Sequence, residues 1–251
     1  MNWLTIFLIV LIIAIPLLYW KAKKTGRVMD NTKRFIKTNF LIVTAHPDDE
    51  AMFMTPTILN ITQNKSNQVF LLWLSTGNAD GIGGIRSKEL RASWSNLRIS
   101  QLKIIDDEKN FPDAMNKTWD KCKISETVNT YIKESKIKVD VILTFDEFGV
   151  SHHPNHIWLY HGWKLFMKEF GQERGVKIMY ALITTSLFRK FIGIFDSIFT
   201  YRNKLRKRTL VSYTCASNTR KALRIHWSQY VWFRRLFTIF SRYAYMNEWK
   251  I

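Results

Sequence analysis

A histidine and three carboxylates crowd into one heptapeptide, Thr44-Ala45-His46-Pro47-Asp48-Asp49-Glu50. A second polar cluster, His152-His153-Pro154-Asn155-His156, lies far along the chain. A catalytic zinc site commonly takes three protein ligands and keeps one position open. His46 and Asp49 can supply two ligands from one turn, and a histidine of the second cluster can supply the third. Asp48 is then left over to accept a proton from water. A further histidine can protonate a leaving group or steady an oxyanion. On spacing alone His152, His153 and His156 compete for these roles. His153 and His156 are three apart, so at a helix start they share a face. Each cluster also has a plainer reading. Asp48, Asp49 and Glu50 suit a helix cap and first turn, and the histidines suit a surface loop. The joint placement of both clusters after strand-like runs points to a metal-dependent hydrolase.

Those runs are Phe40-Leu41-Ile42-Val43 and Val139-Asp140-Val141-Ile142-Leu143-Thr144-Phe145. Between and around them strand and helix patterns alternate. Strands are expected over 40–45, 68–74, 102–105, 139–145 and 176–183. Helices are expected over 50–63, 84–102, 121–135 and 155–170. Leu90, Trp94, Leu97 and Ile99 mark the apolar positions of the second helix. Residues 75–81 form a polar loop with glycines, and 106–120 an acidic, irregular stretch. Strands separated by helices predict an α/β fold: a Rossmann-like, mostly parallel sheet with helices on both faces. In such sheets ligands sit beyond the carboxyl ends of the strands, where the two clusters would meet.

The chain has 251 residues, enough for one catalytic domain and an appendage. Residues 2–20 are nearly all apolar and uncharged, close to the roughly 20 residues of a spanning helix. No basic residue precedes this run, while Lys21, Lys23, Lys24 and Arg27 come directly after it. That pattern predicts an anchor over 1–20 and places the chain from Lys21 onward in the cytoplasm. Residues 21–37 read as a basic linker. Only Cys122 and Cys215 are present, which fits a reducing compartment. Three sequons, at Asn60, Asn64 and Asn116, would then never be glycosylated. The net charge is +18, which suits an anionic membrane surface or nucleic acid. From residue 184 aromatic and basic residues intermix, as in Phe188-Arg189-Lys190-Phe191, Arg206-Lys207-Arg208 and Tyr230 to Phe240. This region reads as a membrane contact, a helical cap on the sheet, or both.

Ala45-His46-Pro47-Asp48-Asp49-Glu50 and His153-Pro154-Asn155-His156 resemble the two signature motifs of the LmbE-like zinc-dependent de-N-acetylases. Leu74 to Asn78, Arg86 to Leu90, Thr144-Phe145-Asp146 and Gly149-Val150-Ser151 extend the likeness over residues 38–185. With the apolar N-terminus, the chain most resembles the eukaryotic branch acting on N-acetylglucosaminyl-phosphatidylinositol in the second step of GPI-anchor synthesis. The resemblance implies zinc held by His46, Asp49 and His156. It implies Asp48 as general base, His153 at the oxyanion or leaving amine, and Arg86 on substrate. His152 has no matching role. Asn155 stands where many bacterial members carry Asp. The implied reaction converts the N-acetyl lipid to glucosaminyl-phosphatidylinositol and acetate. The implied setting is the endoplasmic reticulum membrane, with a glycolipid substrate and neither nucleic acid nor a protein partner. The competing readings are another N-acetyl sugar conjugate as substrate, or a catalytically silent binding module at the membrane.

Overall fold

Continuous runs of Leu, Ile, Val and Phe suit strands covered on both faces. In the computed structural model, which describes residues 3–204 and 209–251, these runs form the centre of one sheet. After helix α1 (Trp3–Met29) come β1 (Asn39–Thr44), α2 (Thr55–Gln63), β2 (Gln68–Trp73), α3 (Gly83–Leu97) and β3 (Gln101–Ile104). The chain then passes α4 (Lys121–Ser135), β4 (Val141–Phe145), α5 (Gly149–His152), α6 (Pro154–Glu169) and β5 (Ile178–Leu182). The remainder holds α7 (Leu187–Phe191), α8 (Asp196–Lys204), β6 (Leu210–Tyr213), α9 (Ala216–Ile225), α10 (Trp232–Phe240) and β7 (Met246–Lys250).

The strand order is β3-β2-β1-β4-β5-β7-β6. β1 to β5 are parallel, with Leu41 opposite both Phe70 and Ile142. β7 runs antiparallel to β5 and β6. The mostly parallel α/β sheet expected from the alternation is therefore present. Right-handed crossovers place α2 and α3 on one face and α4 and α6 on the other. Gly162 of α6 leaves room for Ile124 of α4, whose side chain occupies the space a Cβ would need. The order reverses at β1, so the carboxyl ends of β1 and β4 open a crevice between them. Both polar clusters emerge there.

Several details depart from the sequence reading. The expected helix over 50–63 begins as a π-helical turn, Glu50–Met54, before α2. Strands β6 and β7 were not anticipated. Their inward residues include Ser212, Asn247 and Glu248, so they lack the apolar signature. Asn247 is tied down instead: its amide donates to Phe53 O at 2.6 Å and its carbonyl accepts from Thr57 N at 3.1 Å. Residues 21–37, read as a linker, are helical as far as Met29 and docked on the domain. Ala22 packs against Ile194 and Tyr213, and Met29 against Val211 and Met246. Asp30 and Asn31 accept backbone N–H bonds from Tyr213 and Val211. Residues 12–20 of α1 are instead mostly exposed. Among the described residues no helix is long and apolar enough to cross a membrane. The side chains of residues 4, 7–11 and Trp94, and the run Arg206 to Arg208, lie outside that description.

Candidate active site

The turn after β1 is organised around the Asp49 carboxylate. Its Oδ2 accepts from Ala45 N at 3.1 Å and His46 N at 2.8 Å, folding the turn back onto the strand end. His156, in the first turn of α6, reaches the same oxygen, with Nε2 at 3.2 Å. His46 Nδ1 lies 3.8 Å from it. The ligand atoms of His46, Asp49 and His156 all fall within 4.8 Å of one another, and all three residues are buried. The His156 ring stacks on Phe145, with centroids 4.0 Å apart. Its Nδ1 sits 3.0 Å from Gly149 O, an arrangement that keeps the proton on Nδ1 and leaves the lone pair of Nε2 free to bind a metal. Nε2 is fully buried without a well-formed hydrogen bond, despite its short distance to Asp49. An orphaned imidazole nitrogen facing a carboxylate and a second imidazole is the donor set a divalent metal requires. The residues fit the group. Burial alone would raise the Asp49 pKa, but His156 and His46 hold it below its ordinary value. For His156, burial favours the neutral ring, and Asp49 outweighs it and raises the pKa.

Asp48 borders this cluster, and its carboxylate is held by arginines rather than by the imidazoles. Its φ is +100°, a left-handed conformation that costs strain in a non-glycine residue. Two guanidinium groups grip the carboxylate: Arg234 of α10 pairs with Oδ2, and Arg86 of α3 lies 3.5 Å from Oδ1. Burial raises the Asp48 pKa, and the two arginines oppose it without reversing it. Arg86 was expected to hold substrate. Its donors go instead to Gly77 O and Pro47 O, each at 2.8 Å, and to Asp113 at 3.3 Å. Gly77 has φ +71°, and the guanidinium fills the space its Cβ would take. Arg86 thus clasps two loops together and is nearly buried, whereas Arg234 is the more open of the pair.

His153 caps α6, its Nδ1 accepting from Asn155 N at 3.2 Å. Burial, reinforced by His156 and His46, pushes its pKa down to about 4. The Asn155 amide lies 3.0 Å from both Pro112 O and His46 Nε2. His152 is exposed and remote in role, its ring against Phe148.

Three participants escaped the sequence reading. Asp113 comes from the irregular acidic stretch, and its Oδ1 lies 3.1 Å from His46 Nε2. With His46 and His153 it forms a second group of metal-ligand spacing. Burial would raise its pKa, but hydrogen bonding to His46 lowers it. Arg234 had looked like one more cation in a basic aromatic segment. Glu50, fully buried, does not cap a helix. It accepts from His226 at 2.7 Å, Trp73 Nε1 at 3.2 Å and Asp48 N at 3.1 Å, locking the motif turn to the far end of the chain.

Comparison with known proteins agrees with this geometry. Residues 41–165 match the family model described as PIG-L: GlcNAc-PI de-N-acetylase. The N-acetylglucosaminyl-phosphatidylinositol de-N-acetylase of Bos taurus is 37% identical, with 83% of this chain and 81% of the relative covered. The probable enzyme of that name from Dictyostelium discoideum is 34% identical over 87% of this chain and 95% of its own length. Among solved structures, N,N'-diacetylchitobiose deacetylase from Pyrococcus horikoshii shares the fold. The TM-score is 0.56 at 15% identity, covering 88% of this chain and 86% of that one. The crevice between β1 and β4 is thus found in a chain that belongs to the GlcNAc-PI de-N-acetylase family.

Proposed function

We propose that this protein hydrolyses the acetamide of N-acetylglucosaminyl-phosphatidylinositol, yielding glucosaminyl-phosphatidylinositol and acetate. The observation that carries the reading is the His46, Asp49 and His156 triad beside an arginine-gripped Asp48, in a member of this family. His46, Asp49 and His156 would hold the metal, zinc in our reading. When bound, zinc would polarise the acetyl carbonyl and make water a stronger acid. Asp48 takes the proton of the attacking water at its carboxylate, where Arg86 and Arg234 fix its orientation. Water adds oxygen to the acetyl carbon, the C–N bond breaks, and the nitrogen leaves as an amine after gaining a proton. His153 is neutral at pH 7, and its capped Nδ1 leaves the proton on Nε2. From there it donates a hydrogen bond to the developing oxyanion, while the proton that Asp48 took passes on to the departing amine. Asp113 and Asn155 hold the His46 ring from the side away from Asp49. Arg234 offers the more accessible cation for a substrate oxygen.

The setting in our reading is the cytoplasmic face of the endoplasmic reticulum membrane, with α1 as the anchor. Its support is the uncharged run of residues 2–20, the exposed Ile12, Ile13, Ile15, Leu17 and Leu18, and the lysines directly after them. The deciding experiment measures acetate release from N-acetylglucosaminyl-phosphatidylinositol by membranes bearing the full chain. Chelation should abolish release and zinc restore it, while Asp49→Ala should stay inactive in zinc. Zinc-loaded, folded protein that releases no acetate would overturn the proposed substrate.

A further inference from the structure

The surface beside the site is unusually apolar. On α10, Trp232, Phe233, Leu236, Ile239 and Phe240 are all exposed, at spacings that align them along one stripe. Phe188 and Phe191 of α7 are exposed next to them. Between the two helices opens a cleft of about 520 Å³, lined by Met52, Phe53, Phe191, Phe233, Leu236 and Phe237 among others. Its inner wall is the back of the catalytic loops: Phe53 packs edge-on to His156, with centroids 6.1 Å apart, and to Phe237 at 5.7 Å. The opposite face of α10 delivers Arg234 to Asp48. One short helix therefore borders the site on one side and presents hydrocarbon on the other. A monomer rarely leaves so large an apolar patch to water without a partner.

The covering surface is indicated by α1. Ala22, where that helix meets the domain, packs against Ile194 with Tyr245 alongside. The Tyr245 hydroxyl donates to Ile239 O at 3.0 Å. A Cβ on Gly193 would lie 3.2 Å from that same carbonyl and 3.4 Å from Phe240 O. The exposed apolar half of α1 thus leaves the domain beside the end of α10, and the two apolar surfaces are neighbours. Exposed Lys21, Lys24, Arg27 and Arg235 accompany them, as an anionic headgroup layer would favour.

We propose that α7, α10 and the cleft between them form a second bilayer-contacting surface, which seats the mouth of the active site against the phospholipid that α1 enters. This rests on the reading of the chain as a membrane-anchored lipid deacetylase. α10 then lies in the interface as an amphipathic helix, with Phe233 and Leu236 among the acyl chains and Arg234 facing the site. The test uses the full chain reconstituted in phosphatidylcholine–phosphatidylserine vesicles, with two substrates. One is the lipid embedded in the vesicle; the other is its water-soluble headgroup, N-acetylglucosaminyl-inositol phosphate without acyl chains. Phe233→Asp combined with Leu236→Asp should keep kcat/KM on the soluble headgroup within about two-fold and lower it about ten-fold or more on the embedded lipid. Equal losses on both substrates, or no loss on either, would overturn the proposal. A second measurement needs no charged variant. Brominated acyl chains should quench the fluorescence contributed by Trp232, obtained as the difference between wild type and Trp232→Phe. Absence of quenching in that difference would overturn the surface. If the wild type cleaves neither substrate, the proposed reaction falls, and the quenching alone decides the surface.

Discussion

At the residue scale the two aspartates of the motif do different work although they are adjacent. The backbone bonds from Ala45 and His46 turn Asp49 toward the imidazoles, and the left-handed φ of Asp48 turns it toward the arginines. Their substitutions should therefore separate. Asp49→Ala should lower bound metal by at least about 100-fold in affinity and lose activity with it, since a ligand weighs more than its supports. Asp48→Asn should retain one metal per chain while kcat falls about 10²- to 10⁴-fold, the range of a lost proton-transfer group. Metal analysis beside acetate release distinguishes the two, and parallel loss of metal in both variants would refute the division. The motif types and spacing were legible in the sequence because two of the proposed ligands and the proposed base share one heptapeptide, and the third ligand lies in the other histidine cluster. Asp113, Arg234 and the Glu50–His226 pair were not, because each depends on where a distant segment comes to rest.

At the scale of elements, the strands readable in advance were those buried on both faces, where apolar residues run unbroken. β6 and β7 escaped because their buried apolar residues, Leu210, Val211, Met246 and Trp249, are broken up by buried polar ones such as Asn247, which is bonded to Thr57. The junction between the motif turn and α9 rests on His226 and Glu50, both fully buried. Burial would lower the His226 pKa, but Glu50, with smaller help from Asp48 and Glu89, raises it above its ordinary 6.5. A raised folded-state pKa stabilises the fold fully below the unfolded value and loses that contribution as pH rises through the folded one. Thermal unfolding of wild type and His226→Gln should thus differ most near pH 6, and the gap should narrow on the alkaline side. A gap that widens with pH would contradict the assignment. On the other face of the sheet, Gly162→Leu should drive a side chain into Ile124 and destabilise the chain by about 1–3 kcal/mol in denaturant melts, with the metal site intact.

At the scale of the molecule, the sequence reading was right about the mostly parallel α/β core and wrong about how its N-terminus joins it. The last part of α1, from Ala22 to Met29, is part of the domain, its basic residues on a docked helix rather than a tether. Ala22, Gly26 and Met29 do fall at helical spacing, but two of the three are too small to stand out as an apolar face among the lysines, and Gly26 is set by the Tyr213 ring that lies against it. On the proposed cytoplasmic topology, Asn60, Asn64 and Asn116 should remain unmodified in membranes of a glycosylating cell. Endoglycosidase should leave the mobility of the chain unchanged, and a downward shift would reverse the topology.

The uninterrupted course of α1 has a mechanical consequence. A flexible tether would let a catalytic domain sample the bilayer surface at any angle, but a helix gripped at Ala22 and Met29 works as a lever. Spanning helices answer a thicker hydrocarbon layer by standing more upright. In the proposed membrane setting that rotation passes directly to the crevice between β1 and β4, lifting or lowering its rim relative to the headgroups. Turnover should then vary with the acyl-chain length of the host lipid at constant substrate density, and inserting a short glycine–serine segment after Trp20 should flatten that dependence. The protein would in this way be tuned to the thickness of one membrane by the same few contacts that close its fold.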